Sequence, residues 1–203
     1  MRCTPFLKTQ LFAFTLALCI GGFFSSLRGA TIVVTPTDYV AKAALAQPGD
    51  VFQLRSGQYE FSFLNIPSGN SSARITFMPF SAEVPVIRSV APKVGSSYLT
   101  FQGLKIDAQK TREEAVYLSN VHHIRFQSCE ITNGKTQGVL LPHPGADYNE
   151  FINCDVHHNG SRPQLDHGYY IASSYNLVQG GSTHHNAARG LQIYNGYGER
   201  ANG

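Results

Sequence analysis

Once its first 30 residues are set aside, this sequence has no net charge. The full chain of 203 residues carries 16 Lys and Arg against 13 Asp and Glu. Arg2, Lys8 and Arg28 make up the whole surplus of three, leaving 13 against 13 in the remainder. A neutral body lacks the charge by which proteins gather on nucleic acid or anionic membranes. Cysteine is scarce as well. Cys3 and Cys19 fall in the opening segment, so only Cys129 and Cys154 remain. Long apolar runs are missing too. Leu11 to Phe24, "LFAFTLALCIGGFF", is 14 residues, short of the ~20 needed to span a bilayer. Basic residues precede it and the small-residue stretch "SSLRGA" follows, the order of a secretory signal peptide. The expectation is cleavage after Gly29 or Ala30 and a secreted protein, extracellular or periplasmic, with no further membrane association.

What is present is repetition. "FQGLKI" (Phe101 to Ile106), "FQSCEI" (Phe126 to Ile131) and "FINCDV" (Phe151 to Val156) match position by position at intervals of 25 residues, and "VQGGST" (Val178 to Thr183) follows 27 residues later. After each comes a short strand pattern: "AVYLS", "GVLLP", "GYYIA" and "GLQIY", starting at Ala115, Gly138, Gly168 and Gly190. A period of this length with several short strands per period predicts a solenoid, in which each coil buries its apolar face only by stacking on the next. Coils ~4.8 Å apart bring equivalent residues into columns. The predicted inward columns are Phe101, Phe126, Phe151 and Val178; then Leu104, Cys129, Cys154 and Gly181; then Ile106, Ile131, Val156 and Thr183. Lys105, Glu130, Asp155 and Ser182 point out. Gly103, Ser128, Asn153 and Gly180 make the turn, where permissive backbone angles are needed.

Ahead of the repeat, "TIVVTP" reads as a strand. "TDYVAKAALAQPGD" reads as a short helix capped by Thr37 or Asp38, with Val40, Ala43, Ala44 and Leu45 as its apolar face. "VFQLRSGQYEF", "FLNIPSG", "RITFMPF" and "PVIRS" read as further strands. The helix, the "PGD" that ends it and the following "GQY" resemble the N-terminal cap and first coil of the pectate-lyase-like superfamily. "HGYYI", "NLVQGG" and "HHNAARGLQIYN" resemble its coils. The resemblance implies an all-β, right-handed, single-stranded parallel β-helix with a short N-terminal capping helix. It covers residues 31–203, with cap and first coils at 31–97 and regular coils at 98–203. No capping helix follows "GLQIY", so the expectation is a chain truncated at its C-terminus.

Substrate grooves in such proteins run over one outer sheet face. Here that face is the third strands, whose outward residues are Tyr117, Leu140, Tyr170 and Gln192, with Tyr194 one pleat on. Tyrosines on an exposed sheet suit sugar rings, which makes Tyr117, Gln192 and Tyr194 candidate substrate-binding residues. A second column, Gln137, His167 and Arg189, heads the same strands, with Asp166 and Lys135 close by. Cleaving a uronate polysaccharide by elimination requires a group that neutralises the carboxylate, a base and an acid. Arg189 or Lys135 suits the first role, His167 or Tyr170 the others, with Asp166 orienting the histidine. Equally, Asp166 can bond the turn backbone while His167 sits on the rim.

The predicted partner is an acidic polysaccharide, with no nucleic acid, and the predicted state is a monomer. The predicted function is lyase-like action on that glycan, or non-catalytic binding by a surface scaffold. No cofactor is predicted, and calcium enters only through the family resemblance. The paired aspartates of calcium-dependent pectate lyases are absent from the third strands. "SRPQLDH" has His where an "RxPxxR" pattern has its second Arg. His157-His158, His184-His185 and His122-His123 could suggest zinc or copper. Adjacent side chains point apart, however, and "HHN" also suits a turn with Asn in the left-handed region, so no metal site is predicted. Cys129 and Cys154 occupy one column and, pointing in parallel, are expected to be buried and unbridged.

Overall fold

The computed structural model describes residues 29–142 and 144–194. The predicted leader and the "NGYGERANG" tail lie outside these residues. The strands stack into three parallel faces. Face A holds β1 (Thr31–Val34), β2 (Val51–Leu54), β4 (Ile75–Pro79), β6 (Leu99–Gln102), β9 (Arg125–Gln127), β12 (Glu150–Ile152) and β15 (Leu177–Gln179), in that spatial order. Face B holds β3 (Gly57–Ser62), β5 (Pro85–Ala91), β7 (Lys105–Asp107), β10 (Glu130–Thr132), β13 (Asp155–His157) and β16 (Ser182–His184). Face C holds β8 (Val116–Tyr117), β11 (Val139–Leu141), β14 (Tyr169–Ile171) and β17 (Leu191–Ile193). The long strand β5 joins B to C: Val86 and Ile87 pair with β7, while Val90 pairs with β8.

Register follows the repeat. Phe101 pairs with Phe126, Phe126 with Phe151 and Phe151 with Val178. The aromatic column is longer than the repeat alone indicates. Phe52, Phe77, Phe101, Phe126 and Phe151 stack with centroids 5.0, 5.4, 5.1 and 5.0 Å apart, and all five are buried. Leu104, Cys129, Cys154, Ile106, Ile131 and Val156 are buried as predicted. Both thiols are free, and each donates to a carbonyl one coil back, Cys129 to Phe101 O at 3.2 Å and Cys154 to Phe126 O at 3.5 Å. The predicted turn residues Gly103, Ser128, Asn153 and Gly180 have φ of 63°, 53°, 52° and 64°.

Four expectations need correction. Val178 keeps its register but is 37% exposed, because β15 is the outermost strand of face A among the described residues; Gly181 and Thr183 are exposed for the same reason on that coil. The helix α1 spans only Tyr39–Ala43 and packs through Tyr39 and Ala43, leaving Val40 and Leu45 exposed. Tyr39 reaches in because its hydroxyl can donate to Glu60 O at 2.9 Å while its ring meets Tyr59 edge-on. "FLNIPSG" forms no strand, since Phe63 takes a positive φ and Pro67 has no N–H for a ladder.

The last correction concerns "HHN". The left-handed residue is the second histidine, His158 or His185, and the asparagine turns inward. Asn159 is buried and accepts from Gly134 N at 2.8 Å, while Asn159 N donates to Asn186 Oδ1 at 3.1 Å. A matching pair precedes face A, where Asn149 accepts from Ile124 N and Asn176 from Asn149 N, both at 2.9 Å. Each asparagine satisfies a backbone N–H that no strand pairs, which a buried turn requires. The glycines that open the third strands make room for this. A Cβ at Gly138 would lie 2.6 Å from Asn159 Nδ2, and one at Gly168 would lie 2.8 Å from Asn186 Nδ2.

Candidate functional site on face C

Face C presents Tyr117, Leu140, Tyr170 and Gln192 outward in one register, because Val116, Val139, Leu141 and Tyr169 take the inward positions and are buried. Tyr170 leans on the His167 ring at 5.8 Å and on Tyr194 at 5.8 Å. Arg189 is exposed, and its backbone N–H donates to His167 Nδ1 at 3.1 Å. His167, Tyr170, Arg189, Gln192 and Tyr194 therefore share one patch.

Within the patch His167 is only 3% exposed. Its own backbone N–H donates to Gln137 Oε1 at 2.6 Å, and Gln137 Nε2 donates to Leu165 O at 2.9 Å. Burial lowers the His167 pKa, the Arg189 charge lowers it further, and Asp166 opposes both. With Nδ1 accepting a backbone N–H, the neutral ring carries its proton on Nε2. Asp166 is 0% exposed. It accepts from Ser161 N at 2.9 Å, Arg162 N at 2.8 Å, and Arg162 Nε and Nη2 at 2.9 and 2.7 Å. Burial alone would raise its pKa, but these bonds outweigh burial and hold it below the usual carboxylate value. Its carboxylate thus closes the loop 161–166 and leaves the histidine to Arg189 and Gln137.

Lys135 and Tyr117 lie apart from that patch. Lys135 Nζ meets Glu113 at 2.8 Å with both side chains exposed. Tyr117 lines a cleft of about 370 Å³ with Glu60, Arg112, Glu113 and Glu114, in which Arg112 pairs with Glu60. Glu114 is the residue that sequence reasoning missed. It stands in the register of Gln137, His167 and Arg189 at the head of β8, and that position in the repeat was the signal available. Burial raises its pKa, Thr136 Oγ1 donating at 3.3 Å works against this, and Glu113 adds to it.

At the corner between faces B and C the histidines stack, His157 on His184 at 5.0 Å and His158 on His185 at 5.1 Å. His157 and His184 turn Nε2 towards Glu130 and Asp155, at 3.4 and 3.0 Å. No three His, Cys, Asp or Glu among the described residues converge as metal ligands. Calcium needs six to eight oxygens, and the carboxylates of the acidic cleft are engaged by Arg112, Lys135 and Thr136. The acidic cleft therefore does not fit a calcium site.

The stacked register, three faces and inward columns define a parallel β-solenoid, and the sequence comparison agrees. The chain belongs to the family described as right handed beta helix region, whose model matches residues 94–202. Two solved structures share the fold. A pectate lyase, Pel9A, superposes with a TM-score of 0.58 at 17% identity, over 73% of this chain and 46% of its own. An alginate lyase from Paenibacillus sp. str. FPU-7 gives 0.60 at 19%, over 85% of this chain and 60% of its own. This chain thus spans about half of each lyase's length. No curated protein matches the sequence significantly. No helix among the described residues is long and apolar enough to cross a membrane.

Proposed function

We propose that this protein is secreted and acts on an acidic polysaccharide through face C, as a lyase-like enzyme. The observation that carries the reading is the outward register of Tyr117, Leu140, Tyr170 and Gln192, with Arg189 exposed beside it. The two lyases of the same fold, one of pectate and one of alginate, agree with that class of substrate. Arg189 meets a uronate carboxylate and lowers the cost of taking the proton beside it. Lys135, once drawn from Glu113, meets a second carboxylate. Tyr117, Gln192 and Tyr194 hold neighbouring sugars. Tyr170, whose ring lies against His167, exchanges a proton with substrate through its phenol. His167 positions Tyr170 from behind, and Asp166 fixes the loop that carries His167.

One observation favours binding without cleavage. His167 and Asp166, the ordinary acid–base residues of the patch, are buried and bonded to protein partners. Incubating the full chain with pectate, alginate and glycosaminoglycans, and following the ultraviolet absorbance of the unsaturated product, separates the readings. Elimination that Tyr170→Phe and Arg189→Ala each reduce at least tenfold supports the enzyme. Retention in affinity gels without product supports the binding scaffold. Absence of both overturns the assignment to acidic polysaccharide.

A further inference from the structure

Four aromatic residues outside the core form a second column. Tyr98, His123, Tyr148 and Tyr175 each stand two residues before a paired position of face A, with Thr100, Arg125, Glu150 and Leu177 as the register marks. Their rings stack along the solenoid axis at 4.6, 5.2 and 4.9 Å, with interplanar angles of 21°, 11° and 6°. Tyr148 is 47% exposed and Tyr175 53%. Arg74 closes one end, its guanidinium 5.8 Å from the Tyr98 ring.

All four residues have positive φ: 55°, 57°, 57° and 59°. That backbone is strained for a side chain of this size, and glycine or asparagine would make the turn more easily. The equivalent turn between faces A and B uses Gly103, Ser128, Asn153 and Gly180. The rings at this corner are therefore not demanded by the backbone, and half-exposed tyrosines are not core. Strain held at successive side chains that reach the surface, two of them exposed and two half-buried, points to use of those side chains.

Stacking decides what they can bind. Ring faces are occupied by one another, so the ridge offers ring edges and phenol hydroxyls. Aromatic edges are electropositive, and a phenol O–H donates. Both favour an acceptor of negative charge, repeated at the ~4.8 Å coil spacing, about the length of one sugar residue. We infer that this ridge binds a linear acidic polysaccharide lying along the solenoid axis, one sugar per ring, as a site separate from face C. The inference shares its ligand class with the proposed function and rests on that reading.

The test uses the full chain and uronate oligosaccharides of increasing length. The sequence has no Trp, so intrinsic emission reports tyrosine directly. Affinity is expected to rise with length and level off near four sugars, the number of rings in the ridge. The double variant Tyr148→Gly, Tyr175→Gly relieves the backbone instead of burdening it, so it should fold, and it is expected to bind at least tenfold more weakly. Tyr148→Phe, Tyr175→Phe should fall between the two, keeping edges and losing hydroxyls. If the glycine variant binds like wild type while Tyr170→Ala does not, the ridge is overturned and the face C reading stands. If the glycine variant loses affinity and Tyr170→Ala keeps it, the ridge stands and the face C site falls. Wild-type binding to neutral oligosaccharides of equal strength overturns the ridge's charge argument, and no binding to either overturns both readings.

Discussion

Phe151 shows what one residue contributes. Its ring fills the space between Phe126, 5.0 Å below, and Tyr169 across the core at 5.4 Å. Removing it leaves a cavity in a column that cannot close, because parallel ladders fix the coils on either side. Phe151→Ala should destabilise by about 3–5 kcal/mol, read as a shift in the denaturant midpoint with unchanged slope. A shift under about 1 kcal/mol would show that the coils relax into the void. Such core residues were legible because alternation in "FINCDV" and its copies puts the same atoms inward in every coil. The site was less so. The partner of Asp166 is Arg162, in a loop that matches no other coil, so no register pointed to it. Glu114 was in register but hidden by its neighbour Glu113, which resembles an ordinary surface charge.

At the scale of the element, each corner has its own chemistry. The corner between A and B turns on small residues, while the other two carry inward asparagines. Asn159 links three coils: it accepts from Gly134 N, donates to Ile131 O at 3.2 Å, and meets Asn186 Oδ1 at 3.0 Å. Asn159→Ala strands a buried N–H and should cost about 1–3 kcal/mol. Gly168→Ala should cost a similar ~1–3 kcal/mol by overpacking, since its Cβ would lie 2.6 Å from Gly190 O. The two effects should add less than fully in the double variant if they act on one corner. Thermal or denaturant unfolding of the three variants checks this. The repeat predicted the glycines at the heads of β11, β14 and β17, but not the asparagine that needs the space. A left-handed turn can be written with His or Asn, and side-chain direction decides which. The helix α1 was misread for a related reason: five residues are too few for a helical period to identify the buried side.

For the whole molecule, histidine sets the response to acid. His123, His158 and His167 all have pKa values below the ordinary one. Loss of hydration leads in each, only locally at the exposed His158, aided by His122 and Arg74 at the first, by His157, His185, His184 and Lys110 at the second, and by Arg189 at the third. The unfolded chain then takes up protons first, at about pH 6.5. Stability from these groups is complete above about pH 6.5 and is lost as pH falls below it towards the folded values. Denaturant midpoints should therefore decline between about pH 7 and pH 5, with a shallower decline in His167→Gln. A midpoint that rises over that interval would contradict the assignment.

The 25-residue register has a consequence for how such a chain can change its length. Residues 126–150 form one full period, and Phe126 and Phe151 occupy the same place in it. Excising 126–150 joins Arg125 to Phe151 and leaves β6 facing β12, with Phe101 still under a phenylalanine. Removing a single residue from within a strand would instead set inward against outward side chains along the rest of that strand. Length in this molecule is therefore counted in whole coils. A gene could lengthen or shorten the ridge and face C together, one ring and one outward residue at a time, with no new core to invent.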